Sequence, residues 1–172
     1  MINYVMNSVH ARLDGGDLRS IGGADVVLED LYKDTSLLDR TLKVAIDCGN
    51  AAGCITAPII FRELGVDVTE LFCTVDGTFP NHHPDPTVEK NMLEVIETVK
   101  REKADCGIAY DGDADRIGVV DDTGTILWGD EILLFFARDI LSRNPGAKII
   151  FDVKCSQNLP VDIEAHGGVP LI

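Results

Sequence analysis

From residue 42 onward, the sequence alternates between short apolar runs and longer segments with helical spacing of apolar residues. The apolar runs are typical of buried strands, and the segments between them place apolar residues on one side of a helix. This order predicts an α/β fold with a mostly parallel sheet and helices on both faces. We predict strands at 42–48, 67–73, 104–110, 116–121, 126–128, 148–153 and 169–172, and helices at 52–64, 87–102, 129–142 and 156–166. Gly65 is predicted to cap the end of the first of these helices, and Thr87 to cap the start of the second.

The same pattern divides the chain into three parts. Helices are predicted at 1–15 and 28–38, and because the first has no neighbouring strand, we interpret residues 1–26 as the tail of a preceding domain and a linker. Residues 27–145 then form the main α/β domain. Residues 146–172 begin a second α/β unit. Because a strand–helix–strand start cannot bury its faces alone, we interpret this unit as incomplete. We therefore expect the chain to be a fragment of a longer protein.

Three aspartates occupy alternate positions after the strand predicted at 104–110, namely Asp111, Asp113 and Asp115. Small residues separate them, and because Gly tolerates backbone angles closed to other residues, a tight loop can direct all three carboxylates to one centre. Like charges at this spacing repel, and a hard divalent cation such as Mg²⁺ or Ca²⁺ takes oxygen ligands. Arg116 follows at once and suits a phosphate, which a guanidinium grips with two parallel hydrogen bonds. We predict a metal loop rather than a solvated acidic turn.

The position of this loop supports the same interpretation. It follows a strand of the predicted parallel sheet, and ligands of such sheets bind beyond the carboxyl ends of the strands. An EF-hand is excluded, because its pattern needs glycine at the sixth position and an acid, normally Glu, at the twelfth. Here those positions hold Arg116 and Asp122, and the flanking segments have the pattern of strands.

Composition argues against several classes of protein. The chain has 15 basic and 29 acidic residues and a net charge of −14, which argues against nucleic acid or an anionic membrane as the main partner. We find no apolar run as long as a membrane span and no signal-peptide pattern at the N-terminus. The five cysteines show no CxxC spacing, so we interpret them as buried thiols of a cytoplasmic protein rather than as a zinc site.

Three further segments are weaker candidates. The turn at 47–53 joins a strand to a helix but lacks the GxGxxG and P-loop patterns, so a tight turn is favoured over a nucleotide site. The loop at 79–87 contains three prolines, and we expect it to pack near the aspartate loop. Its adjacent histidines, His82 and His83, point apart, which disfavours a shared metal and leaves acid/base chemistry as a minor alternative. Lys154 follows a predicted strand, at the edge where substrates bind, and its position alone leaves a substrate contact and a solvated surface lysine equally open.

Together these segments resemble the α-D-phosphohexomutase family, and most closely its bacterial phosphomannomutase/phosphoglucomutase branch. The family's metal loop resembles Gly-Ile-Ala-Tyr-Asp-Gly-Asp-Ala-Asp-Arg at 107–116. Landmarks of the family's second domain resemble Asp-Cys-Gly-Asn at 47–50 and Phe-Pro-Asn-His-His-Pro-Asp-Pro at 79–86, and the opening of its third domain resembles Asp-Val-Lys-Cys at 152–155. On this resemblance, residues 27–145 correspond to the second domain and residues 146–172 to the start of the third.

The resemblance implies an enzyme that interconverts the 1-phosphate and 6-phosphate of mannose or glucose through a bisphosphate intermediate. In that family a phosphoserine of the first domain donates the phosphoryl group and completes a Mg²⁺ site formed by three aspartates. The resemblance implies that Asp111, Asp113 and Asp115 bind Mg²⁺, that Arg116 is a catalytic residue that also binds the substrate phosphate, and that Lys154 contacts the substrate. The implied partners are a hexose phosphate and the remaining domains of the parent chain.

The sequence also departs from the family pattern. A Thr-Ala-Ser-His-Asn-Pro serine loop, a Gly-Glu-x-Ser-Gly-His sugar-reading loop and the phosphate-binding loop of the fourth domain are absent from it. We therefore expect that this chain alone does not convert glucose 1-phosphate and that its three carboxylates hold Mg²⁺ weakly. Ala114 stands where Gly is frequent in the family loop, a change that we expect not to disturb metal ligation.

Three alternatives to the mannose/glucose enzyme stay open. One is a phosphoglucosamine mutase of the same family. Another is a metal-dependent phosphatase of the haloacid-dehalogenase type with Asp111 as nucleophile, although such enzymes carry Thr or Val at the position of Asp115. The last is a non-catalytic module that binds a metal or a sugar phosphate.

Overall fold

The computed structural model describes residues 40–172, so the helices predicted at 1–15 and 28–38 and the interpretation of residues 1–26 lie outside the described residues. The described part contains seven strands that form two sheets. The strands are Lys43–Asp47 (β1), Asp67–Leu71 (β2), Cys106–Tyr110 (β3), Ile117–Asp121 (β4), Ile126–Leu127 (β5), Lys148–Ile150 (β6) and Val169–Leu171 (β7).

The larger sheet has the strand order β2-β1-β3-β4-β5, and β6 pairs with β7 in the smaller one. β1 is parallel to both β2 and β3, and β6 is parallel to β7. The short loop after β3 returns the chain directly, so β3, β4 and β5 pair in antiparallel order. Three of the five pairings in residues 40–172 are therefore parallel, which confirms the predicted mostly parallel α/β fold and adds an antiparallel edge to it.

Between the strands of residues 40–172 lie four α-helices and two short 3₁₀ helices. They agree with the predicted helices in place, and the differences lie at their starts. The α-helices are Ala57–Glu63 (α1), Leu93–Glu102 (α2), Gly129–Arg143 (α3) and Asn158–Ala165 (α4), and the 3₁₀ helices are Ala52–Ile55 and Glu89–Met92.

The helix predicted at 52–64 is interrupted at Thr56, where the backbone φ is −122°. Pro58 is the reason, because proline has no N–H to donate and therefore occupies the first turn of a helix, here that of α1. At the other end of α1 the predicted cap is confirmed, since Gly65 has a φ of +78° and donates its N–H to the carbonyl of Arg62.

The helix predicted at 87–102 also starts later, with a 3₁₀ turn that leads into α2 at Leu93. Thr87 does not cap it as predicted, because both the N–H and the hydroxyl of Thr87 donate to the carboxylate of Asp85. The strand predicted at 148–153 is shorter in the structure: its pairing with β7 reaches Ile150, opposite Leu171, and the N–H of Phe151 then donates to the carbonyl of Leu171.

Helices cover both faces of the larger sheet. Side chains alternate along a strand, so Val44 and Ile46 of β1 pack with Ala57 of α1 on one face. On the other face Ala45 packs with the cluster that contains Val95 of α2. This arrangement confirms the predicted helices on both faces and leaves the ends of the strands open for loops.

A separate cluster joins α3 to the elements that follow it. Ala137 and Leu141 of α3 pack with Ile149 of the smaller sheet and with Leu159 and Ile163 of α4. The division of the chain near residue 145 stays a prediction, and in the structure α3 buries its apolar side against residues 146–172. Within residues 40–172, the helices are too short or too polar to cross a membrane.

Gly107 sets how closely α2 packs on β3. A Cβ at Gly107 would lie 2.6 Å from Val95 Cγ2 and 2.7 Å from Val99 Cγ2. We predict that Gly107→Ala lowers the free energy of unfolding by about 1–3 kcal/mol, because it overpacks this contact, as measured by urea denaturation of the chain. The matched control is Gly77→Ala, where a Cβ meets nothing within 4 Å. Equal stabilities of the two variants would contradict the packing argument.

Candidate metal centre

The three aspartates lie in the loop that joins β3 to β4, at the carboxyl end of β3. One ligand oxygen from each of Asp111, Asp113 and Asp115 lies within 4.8 Å of the others, and within residues 40–172 this is the only such group of acidic, histidine or cysteine side chains. Asp111 is 1% exposed, whereas Asp113 and Asp115 face solvent. The convergence that the sequence predicts is therefore present, with one buried and two accessible carboxylates.

The loop closes through local backbone contacts. The Asp111 N–H donates to the carbonyl of Arg116, and the Ala114 N–H donates to the carbonyl of Asp111. Ala114 takes the left-handed conformation, with a φ of +62°. The conformational freedom expected of glycine is thus needed at the alanine and not at Gly112, which instead lies close to Pro84.

Arg116 is bonded to the buried carboxylate. Its Nε donates to Asp111 Oδ2 at 2.7 Å, and its backbone N–H donates to Asp111 Oδ1 at 3.1 Å. Burial raises the pKa of Asp111, but the hydrogen bonds and positive charge of Arg116 outweigh burial and leave this pKa below its ordinary value. The Arg116 side chain is 60% exposed, so the residue that neutralises Asp111 also presents positive charge at the surface beside the cluster.

Arg116 does not neutralise the whole cluster. The negative charge of Asp113, then burial and the charge of Asp111 raise the pKa of Asp115 above its ordinary value. The repulsion between the carboxylates that their spacing predicts is therefore present in the folded chain. A set of carboxylate oxygens with excess negative charge suits a hard divalent cation.

The loop at 79–87 and the turn at 47–53 border the metal loop. Pro84 Cγ would lie 3.7 Å from a Cβ at Gly112, and the Ala52 N–H donates to the carbonyl of Gly112 at 3.3 Å. This confirms the expected packing of the proline-rich loop near the aspartates. His83 contacts the ring of Phe79, and Nε2 of His82 lies against the carboxylate of Asp47.

The Asp47–His82 contact is a feature that sequence reasoning missed. Its partners are 35 positions apart, and no periodicity links residues at that separation. An aspartate that closes an apolar strand is the one available signal, because a carboxylate there is buried and needs a partner.

Lys154 lies in the turn after β6 and its side chain is 84% exposed. Its Nζ is 3.6 Å from Asp152 Oδ2, and its backbone N–H donates to the same carboxylate. Its described contacts are therefore those of a surface turn, and its role towards a substrate stays a prediction.

Comparison with known proteins identifies the family. A family model described as phosphoglucomutase/phosphomannomutase, alpha/beta/alpha domain II, matches residues 25–124, which is more than half of the chain. The phosphomannomutase/phosphoglucomutase of Pseudomonas aeruginosa is 44% identical over 178 residues, which cover 100% of this chain and 38% of that protein. A phosphoglucomutase of Neisseria meningitidis is 53% identical over 131 residues, which cover 76% of this chain and 28% of that protein.

A solved structure supports the same conclusion. The crystal structure of a phosphoglucomutase/phosphomannomutase family protein from Burkholderia thailandensis matches with a TM-score of 0.81 and 46% identity, over 86% of this chain and 32% of that one. The chain therefore belongs to the phosphoglucomutase/phosphomannomutase family, within the α-D-phosphohexomutases. It spans less than two-fifths of the length of these relatives.

The strained alanine of the metal loop can be tested directly. We predict that Ala114→Gly raises the free energy of unfolding by about 1 kcal/mol, because glycine adopts a left-handed φ without the cost that a Cβ imposes. Urea denaturation without added metal measures the change. As a control, Ala165→Gly at the end of α4 removes a Cβ from a helical backbone and is expected to lower stability by up to about 1 kcal/mol. Destabilisation by Ala114→Gly would contradict the loop conformation.

Proposed function

We propose that this chain carries the Mg²⁺-binding part of a phosphohexomutase, which interconverts the 1-phosphate and 6-phosphate of mannose or glucose through a bisphosphate. The observation that carries the proposal is the convergence of Asp111, Asp113 and Asp115 beside Arg116. Membership of the phosphoglucomutase/phosphomannomutase family and the names of the relatives support the choice of sugars. We also propose a cytoplasmic location, as for an enzyme of soluble sugar phosphates.

The residues fit the proposed cofactor in their chemistry. Three convergent carboxylates, of which only Asp111 is directly hydrogen-bonded by Arg116, are oxygen donors of the kind that Mg²⁺ prefers, and Asp111, Asp113 and Asp115 would hold the ion. When bound, Mg²⁺ supplies positive charge that stabilises phosphate oxygens during phosphoryl transfer. In this proposal the phosphoryl donor is a phosphoserine in another part of the parent protein, and it completes the metal site.

Arg116 would bind and orient the phosphate. Phosphoryl transfer depends on positioning and on electrostatic stabilisation more than on covalent chemistry by the protein. Arg116 is held at one end by Asp111, and its exposed guanidinium therefore lies in a defined place beside the metal ligands. Lys154 is proposed to contact the sugar phosphate from the second α/β unit.

The geometry disfavours the phosphatase alternative. In that alternative, Asp111 attacks phosphorus with a free carboxylate oxygen. Both oxygens of Asp111 accept hydrogen bonds from Arg116, and the carboxylate is buried. In this proposal Asp111 is a metal ligand and an anchor for Arg116, and its occupied, buried oxygens argue against a nucleophile open to substrate.

The metal site can be tested in the chain as it stands. We expect Mg²⁺ to bind with a dissociation constant of about 1 mM or weaker, because three carboxylates from one loop leave the remaining positions of an octahedral ion to water. Titration followed by ¹H–¹⁵N NMR should shift the amides of residues 111–116. Asp113→Asn should weaken binding by about tenfold or more, since it removes a charged ligand. Asp122→Asn, the same change at an exposed site of the neighbouring turn, should bind Mg²⁺ like the unaltered chain. Micromolar binding of Mg²⁺ by the unaltered chain would contradict the proposed incomplete site.

The enzymatic role can be tested in a chimera. Residues 40–145 replace the matching segment of the Pseudomonas aeruginosa relative, and mutase activity is measured with glucose 1-phosphate and catalytic glucose 1,6-bisphosphate. We expect activity within about tenfold of that relative, and a loss of at least about 100-fold when Asp113→Asn is added, because charge stabilisation of the transition state is lost. Adding Asp122→Asn instead should leave activity unchanged. A folded chimera without activity would contradict the proposal.

A further inference from the structure

Asp47 and His82 form a buried pair beneath the loops at the carboxyl edge of the sheet. Asp47 ends β1 and is 1% exposed, and its Oδ2 lies 2.9 Å from Nε2 of His82. Its other oxygen, Oδ1, accepts the N–H of Gly49 at 2.8 Å. Both carboxylate oxygens are therefore occupied, as a buried carboxylate requires.

His82 is oriented from both sides of its ring. Nε2 faces Asp47, and Nδ1 lies 3.0 Å from the carbonyl oxygen of His83. Both neighbours are acceptors, so a doubly protonated ring donates two hydrogen bonds, whereas a neutral ring donates only one. Phe72 packs edge-on against the ring, with centroids 5.4 Å apart, and the His82 side chain is 15% exposed.

A second pair of side chains joins the same two segments. Asn81 donates through Nδ2 to Asn50 Oδ1 at 2.7 Å, and Asn50 donates through its own Nδ2 to the carbonyl of Thr74 at 2.8 Å. Residues 81 and 82 of the proline-rich loop are thus bonded to residues 50 and 47 of the turn after β1. These bonds fix the loop on the turn at two points.

The loop fixed in this way touches the metal loop. Pro84 lies between two glycines: its Cβ would lie 2.8 Å from a Cβ at Gly49, and its Cγ 3.7 Å from one at Gly112. Gly49 has a φ of +51° and lets the backbone approach Pro84. From the turn itself, the Ala52 N–H bonds the carbonyl of Gly112 at 3.3 Å. Gly112 separates two of the three aspartates.

From this geometry we propose that Asp47 and His82 are a positioning pair for the metal loop. They hold the loop at 81–86 against the turn at 47–50, and Pro84 and the Ala52 N–H then set the position of Gly112 and of the carboxylates on either side of it. In this proposal the pair acts through the loops and contacts neither the metal nor the substrate. This inference rests on the proposed function, because it concerns the Mg²⁺ site.

Substitutions at His82 test the pair through Mg²⁺ affinity. His82→Phe keeps a flat ring but removes both nitrogens, and we expect it to weaken Mg²⁺ binding by about fivefold or more and to shift the amides of residues 111–116 before any metal is added. His82→Gln retains an N–H donor for Asp47, and Asp47→Asn retains a hydrogen bond with donor and acceptor exchanged. Both should bind Mg²⁺ within about twofold of the unaltered chain. His83→Phe, the same change at the exposed neighbouring position, is the matched control and should bind normally.

The result distinguishes positioning from a purely structural role. Mg²⁺ titrations by ¹H–¹⁵N NMR are made where urea denaturation shows each variant to be folded. If His82→Phe is less stable but binds Mg²⁺ with unchanged affinity, the positioning role is overturned. If the unaltered chain shows no Mg²⁺-dependent shifts at residues 111–116, the proposed metal site itself fails, which is a different outcome.

A second variant, which leaves Asp47 with its partner, keeps the test decisive. If His82→Phe does not fold because Asp47 is left without its partner, Pro84→Ala takes its place, since it removes most of the ring between Gly49 and Gly112 and leaves the contact between Asp47 and His82 intact. We expect Pro84→Ala to weaken Mg²⁺ binding by about two- to fivefold. Unchanged affinity in Pro84→Ala would then overturn the inference.

Discussion

The parallel pairing of β1 with β3 is the constraint on which the candidate site depends. Asp47 at the end of β1 lies opposite Ala109 near the end of β3, so the turn after β1 and the loop after β3 leave the sheet side by side. The contacts that the turn at 47–53 and the loop at 79–87 make with the metal loop depend on this register. A shift by one residue would turn Asp47 to the other face of the sheet and separate it from His82.

The two buried carboxylates at this edge of the sheet have different partners. Asp47 is compensated by His82 and the Gly49 N–H, and burial nevertheless raises its pKa above the ordinary value. Asp111 is compensated by Arg116, which lowers its pKa. The exposed Asp113 and Asp115 lack such strong partners, and their mutual repulsion persists in the fold. The chain thus satisfies its buried charges and leaves excess negative charge where a cation is proposed to bind.

The prediction of the fold succeeded where local patterns determine structure. Apolar runs predicted all seven strands of residues 40–172, and the helical spacing of apolar residues predicted the α-helices between them. The errors lie at helix starts and strand ends, where one contact outweighs periodicity: Pro58 interrupts the first helix, and Asp85 binds the Thr87 side chain that was expected to cap α2. The antiparallel return of β4 depends on a short loop, and apolar patterning does not record strand direction.

The sequence by itself determined the alternation of strands and helices and the identity of the acidic cluster, because both follow from the spacing of residues close together in the chain. Only the tertiary structure decided that Asp111 is buried and bonded to Arg116, that Ala114 takes the left-handed conformation, and that Asp47 meets His82. These features depend on how distant segments pack and on which backbone conformation closes a loop. Spacing along the chain carries no record of either.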